Sequence, residues 1–164
     1  MTKRLNANPL VQQVEHEDAQ LYLYQGFLSA KDCKTLIAKI DADAVPSRLY
    51  KGTEQQGFRT SYSCHLNRWD AFISKVEARM SDVLGIDNTY AETMQGQRYQ
   101  VGQEFKAHHD FFHPTQDYWA HEGRSGGQRS WTAMIFLNEP EEGGTTEFPH
   151  LGLGVRPQAG MMLI

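Results

Sequence analysis

The feature that most limits how this chain can fold is a change of hydrophobic period near Thr93. Before it, apolar residues recur at helical spacing. After it, short segments alternate with a period of two and are cut by glycine turns. Cys33, Leu36, Ile37 and Ile40 fall at i, i+3, i+4 and i+7, one face of a helix. Ser29 opens that helix, and Asp32 three residues on has the spacing of a capping box. Trp69, Phe72, Ile73, Val76, Met80, Val83 and Leu84 form a second helical stripe, with Asn67 as its N-cap and Gly85 placed to end it. Gln20 to Phe27, rich in Leu and Tyr, reads as a strand. Val45 to His65, with turn residues at Lys51–Gly52 and Gly57, reads as one or two short strands.

From Thr93 onward the alternating segments are MQGQRYQV, EFKAHHDFF, SWTAMIFLN, TTEFP, LGVRP and GMMLI. Turn signals separate them at Gly102, Gly126–Gly127, Gly143–Gly144, Gly152–Gly154 and Gly160. Evenly spaced short strands point to an all-β barrel or jelly roll. The expected class is therefore α+β, with supporting helices first and a β-rich half after them. Residues 1–19 are polar and weakly patterned and read as an N-terminal arm. Residues 20–164 read as a single domain with no internal boundary.

Composition narrows the function. Sixteen Lys and Arg against twenty Asp and Glu leave 16 − 20 = −4, so no global charge draws the chain to nucleic acid or to anionic membrane. Two cysteines, Cys33 and Cys64, make neither a disulfide framework nor a CxxC metal pair and read as buried thiols. The N-terminus lacks the apolar core of a signal peptide, and no apolar run reaches the roughly 18 residues of a membrane helix. The expectation is a cytoplasmic protein of unfixed oligomeric state.

Chemistry concentrates between Tyr99 and Phe112. His108 and Asp110 stand two apart in an expected strand, where alternate side chains share a face. An imidazole and a carboxylate converging there make two-thirds of a facial triad, which leaves three positions open on Fe(II) for a bidentate cosubstrate and oxygen. On a solvated face the same pair would do nothing. Phe105, Phe111 and Phe112 argue for a half-buried segment, where polar groups need partners. His109 falls on the opposite face and reads as a surface or packing histidine.

RYQVGQEFKAHHDFF resembles the first metal-binding strand pair of the prolyl 4-hydroxylase family, the iron(II)- and 2-oxoglutarate-dependent dioxygenases. GGQRSWTAMIFLNEPEEGGTTEFPHLGLGVRPQAGMMLI is similar to that family's next block, and GFLSAKDCKTLI to its opening strand and helix. The resemblance, over residues 20 to 164, implies a double-stranded β-helix (jelly-roll) core. It implies that His108 and Asp110 bind Fe(II), and that Tyr99 and Thr146 bind 2-oxoglutarate. Met134 and Phe136 would line the pocket, though a core role fits them as well. It further implies O2 as cosubstrate, ascorbate as reductant, and hydroxylation of an unactivated C–H in a peptide or protein, most naturally a peptidyl proline, with succinate and CO2 released.

The family's third ligand is a distal histidine, followed by a basic residue that pairs with 2-oxoglutarate. The sequence ends at Ile164 before either, and His150, its last histidine, lies where the family has no ligand. The expectation is a catalytic core whose last strands are absent, with GMMLI left as an open sheet edge. Residues His113 to Gln128 form a long polar loop, in which Tyr118 and Trp119 either cover the substrate as a lid or anchor the loop. Glu139, Glu141 and Glu142 read as a solvated turn, and Lys3, Arg4 and Arg129 as no basic patch. Two other readings fit the same residues: a cupin-like metal-binding protein without oxygenase activity, and a truncated, non-catalytic peptide-binding module.

Overall fold

Helix α1 spans Thr2–Ala7, followed by strands β1 (Val11–Val14) and β2 (Leu21–Tyr24) and helix α2 (Ala30–Asp43). Strands β3 (Val45–Pro46) and β4 (Tyr62–His65) precede helix α3 (Ala71–Leu84) and strand β5 (Gln95–Arg98). Helix α4 (Trp119–Ser125) is followed by β6 (Met134–Ile135), β7 (Thr146–Phe148), β8 (Leu153–Val155) and β9 (Met162–Leu163). This computed structural model describes residues 1–49, 56–125 and 127–164. The turn expected at Lys51–Gly52 lies outside the described residues, as does Gly126 of the expected Gly126–Gly127 turn.

The two helical stripes fold as their spacing dictates. Ser29 Oγ accepts from the Asp32 N–H at 3.1 Å, and the Asp32 carboxylate accepts from the Ser29 N–H at 3.3 Å, which closes the capping box ahead of α2. Cys33, Leu36 and Ile40 are buried along one face of that helix. In α3, Ile73 and Val76 are buried, and Gly85 ends the helix at a left-handed φ of 65°. The cap of α3 differs from expectation. Asp70, not Asn67, accepts from the first-turn N–H groups of Phe72 and Ile73, at 2.9 and 3.1 Å. Asn67 instead closes a local turn onto the Trp69 N–H. Trp69 thus lies ahead of the helix and is exposed, 88% of it, rather than on the core stripe.

The chain divides into two compact units, interleaved in sequence. One comprises residues 1–37, 82–85 and 131–164; the other comprises residues 38–81 and 86–130. The first unit holds an antiparallel sheet of order β1-β2-β9-β6 and the antiparallel pair β7-β8. Its core includes Leu5, Tyr22, Phe27, Met161 and Met162. Residues 1–19 are built into this unit: β1 pairs along the whole of β2, and Leu5 of α1 is fully buried. The arm reading gave weight to the polar residues and missed that one well-placed leucine can dock a short helix.

GMMLI is not an open edge either. Strand β9 is paired on both sides, with β2 and with β6, and Met161 to Ile164 are all buried. Gly160 sets up this placement. Its N–H bonds the Phe136 carbonyl at 2.8 Å and its carbonyl receives the Leu28 N–H at 3.0 Å, with φ at 81°.

The second unit holds the antiparallel sheet β3-β4-β5. Gly96 of β5 is buried beneath Ile40, and any Cβ there would strike that side chain. Cys64 of β4 lies beside them, buried like Cys33, as the sequence suggests. The fold is thus one of helices and antiparallel sheets, and no described helix is long and apolar enough to cross a membrane.

Candidate functional site

The residues expected to carry chemistry follow β5. A turn with Gly102 at φ 80° reverses the chain, and Phe105 then forms an isolated antiparallel bridge with Arg59. The Thr60 N–H bonds the Glu104 carbonyl at 2.9 Å and the Lys106 N–H bonds the Phe58 carbonyl at 3.0 Å. No strand is assigned from Lys106 to Phe112. The expected strand over EFKAHHDFF therefore shrinks to one bridge, because its neighbour at Phe58–Thr60 pairs with it only as far as Lys106.

His108 and Asp110 nevertheless converge, with Nε2 of one 3.4 Å from Oδ1 of the other. The imidazole is held on three sides. Its Nδ1 lies 2.6 Å from the Lys106 carbonyl oxygen, its face stacks on the Phe105 ring at 3.8 Å, and the Phe58 ring approaches at 6.3 Å. A carbonyl can only accept, so Nδ1 carries the hydrogen and Nε2 is left to face Asp110. The hydrogen bond to Asp110 holds the His108 pKa above its ordinary value, aided by the Lys106 carbonyl and opposed by burial and by Arg59.

Around this pair lies a polar network that the sequence did not announce. Arg59 donates to Ser61 Oγ at 3.2 Å and to Gln95 Oε1 at 3.1 Å, with its guanidinium 4.6 Å above the Phe105 ring. Burial lowers its pKa from the usual arginine range. Tyr99 donates its hydroxyl to Gln97 Oε1 at 2.8 Å. Burial raises the phenol's pKa, while a hydrogen bond with Ser61 and the charge of Arg59 pull it down. Arg129 forms two bonds to Glu92, at 2.6 and 2.7 Å. It also donates to the Asp110 carbonyl at 3.1 Å and lies 4.2 Å over the Phe112 ring. Arg59, Ser61, Glu92 and Arg129 gave no signal in sequence, because an isolated charged residue in a polar stretch reads as solvated.

The remaining expected residues fall as follows. Thr146 opens β7 opposite Val155, Met134 lies in β6 opposite Leu163, and the Phe136 N–H bonds the Met161 carbonyl. All three belong to the first unit, whereas Tyr99, His108 and Asp110 belong to the second. His150 is exposed in a short 3-10 turn. His109 is exposed, its ring 5.4 Å from that of Phe111. The polar loop after His113 contains α4. Tyr118 and Trp119 stand with their rings 5.8 and 6.5 Å from Phe112, and the Tyr118 hydroxyl accepts from the His113 N–H.

Among the described residues no group of three His, Cys, Asp or Glu side chains is gathered closely enough to hold a metal ion. His108 and Asp110 fit two positions of such a site. One nitrogen and one oxygen 3.4 Å apart can share an ion at ordinary bond lengths of about 2.0–2.2 Å, and the second imidazole nitrogen is already oriented by a carbonyl.

Comparison with known proteins follows the same residues. Residues 94–164 match the model of the 2OG-Fe(II) oxygenase superfamily. Probable prolyl 4-hydroxylase 8 of Arabidopsis thaliana is 31% identical over 137 residues, which are 80% of this chain and 46% of that one. This chain is a homologue of the prolyl 4-hydroxylases. Probable prolyl 4-hydroxylase 10 of the same plant is 35% identical over 133 residues, 77% of this chain and 44% of the relative. The chain thus spans a little under half the length of these curated relatives. A crystal structure of viral collagen prolyl hydroxylase from Paramecium Bursaria Chlorella virus-1, as a 2OG complex, superimposes with a TM-score of 0.62. The match covers 97% of this chain and 78% of the viral one at 23% identity, and so speaks for a shared fold.

Proposed function

We propose that this chain supplies part of the catalytic core of an Fe(II)- and 2-oxoglutarate-dependent dioxygenase that hydroxylates a peptidyl proline. The observation that carries the reading is the convergence of His108 Nε2 and Asp110 Oδ1 at 3.4 Å, with the imidazole locked by Lys106 and Phe105. The homology to prolyl 4-hydroxylases supports the substrate class, and the likeness to the viral enzyme supports a jelly-roll arrangement of the antiparallel strands.

In this reading His108 and Asp110 hold the metal and Tyr99 of the same unit binds 2-oxoglutarate, a role that the resemblance to prolyl 4-hydroxylases also gives to Thr146. When bound, the metal and 2-oxoglutarate would supply the oxidising chemistry together with O2, one oxygen atom entering the peptide and the other succinate as CO2 is released. The chain's own contribution is orientation. The Lys106 carbonyl fixes which imidazole nitrogen is free, and the Phe105 ring stacks on one face of the exposed His108 side chain and sets its orientation. Tyr99 presents a phenol hydroxyl, a group that can donate to a carboxylate.

Incubation with Fe(II), 2-oxoglutarate and a proline-containing peptide tests the proposal. Succinate release coupled to oxygen incorporation into the peptide is expected, with His108→Ala and Asp110→Ala each abolishing both. Metal binding without any 2-oxoglutarate turnover would favour the cupin-like reading. Turnover retained in either variant would refute the ligand assignment.

A further inference from the structure

The chain around Asp110 is held by side chains rather than by a sheet, and one of them bonds the main chain as a neighbouring strand would. Gln128 Oε1 accepts from the Phe112 N–H at 2.6 Å, and Gln128 Nε2 donates to the Phe112 carbonyl at 2.8 Å. A primary amide offers one donor edge and one acceptor edge, as a peptide group does. Here it satisfies both main-chain groups of a single residue, which is what an antiparallel neighbour does in a hydrogen-bonded pair. The partners settle which atom is which, because the Phe112 N–H can only donate and its carbonyl can only accept. Oε1 also accepts from the Arg129 N–H at 3.1 Å, which fixes the amide plane.

Phe112 lies two residues beyond Asp110 and is buried, 3% exposed. On the other side of Asp110 the last sheet-like bond is that of the Lys106 N–H to Phe58. Asp110 therefore sits on a span fixed at Lys106 and again at Phe112. Gln128, returning from the far end of the 113–127 segment, makes that second fixed point beside Arg129, which donates to the Asp110 carbonyl at 3.1 Å. A carboxylate must be held to within about half an ångström to serve as a preorganised ligand.

We propose that Gln128 is a positioning residue, which aims the Asp110 carboxylate at the metal by clamping Phe112. The proposal rests on the reading that His108 and Asp110 bind a metal. Gln128→Met removes both bonds at nearly constant length. Gln128→Glu keeps the acceptor for the Phe112 N–H and sets a carboxylate oxygen against the Phe112 carbonyl.

The test is titration with Co(II), followed by its visible absorption, beside thermal unfolding of the metal-free proteins. Gln128→Met is expected to weaken Co(II) binding about 10-fold or more, the size typical of groups that orient a ligand. Its absorption bands should change, at a temperature where the protein is fully folded, and Gln128→Glu should fall between it and the wild type. Should Gln128→Met fail to fold, the affinity and spectrum of Gln128→Glu decide. Wild-type affinity and an unaltered spectrum in the folded variants would overturn the positioning role while leaving the metal site standing. A wild-type protein that binds no Co(II) would overturn the metal reading, and this inference with it.

Discussion

His108 shows how far a single residue can be read. Its spacing from Asp110 is a weak signal alone, and it was the neighbouring Phe105, Phe111 and Phe112 and the resemblance of the whole segment to the prolyl 4-hydroxylases that marked the pair as candidate ligands. What the pattern could not show is how the ring is held, since Phe58 and the Lys106 carbonyl become neighbours only when the chain folds. The Asp110 contact raises the His108 pKa. A group raised in the folded state contributes stability that is fully present below its unfolded value, near 6.5, and is lost as pH rises through the raised folded value. In Asp110→Asn the titration midpoint of His108, followed by NMR of the ring protons, should fall. An unchanged midpoint would mean that the two side chains do not meet in solution. Gln128 and Arg59 were illegible for the same reason that His108 was only half legible: their partners lie far along the chain, and no local spacing encodes them.

At the scale of elements, helices were easier to read than strands. The α2 capping box and both apolar stripes are local, so Ser29, Asp32, Leu36, Ile73 and Val76 behave as their spacing predicts. The strands are two to four residues long, and their pairing joins distant segments, as β2 with β9. The open-edge reading of GMMLI failed on that point, since no local pattern tells an edge strand from one flanked on both sides. Gly160 is where this pairing is most exposed to test. A Cβ there would collide with the Leu28 carbonyl oxygen, and its φ of 81° disfavours any other residue. Gly160→Ala should cost more than about 2 kcal/mol in chemical denaturation, combining backbone strain with that clash. A loss within experimental error would contradict the placement of β9.

For the molecule as a whole, the sequence placed helices before a β-rich half, and the structure has helices with antiparallel sheets. Two compact units interleave in sequence, and the residues that join one of them come from both ends of the chain. Leu5 belongs to that joining. Leu5→Ala removes a fully buried side chain from the first unit and should destabilise it by about 2–5 kcal/mol, as measured by urea unfolding. A true arm would lose nothing.

The central claim is that His108 and Asp110 hold a metal on which 2-oxoglutarate binds. Calorimetric titration of 2-oxoglutarate into the protein, with and without Mn(II), tests it most directly. Binding should be strong only when the metal is present and should vanish in both His108→Ala and Asp110→Ala. Metal-dependent binding that persists undiminished in those two variants would contradict the account.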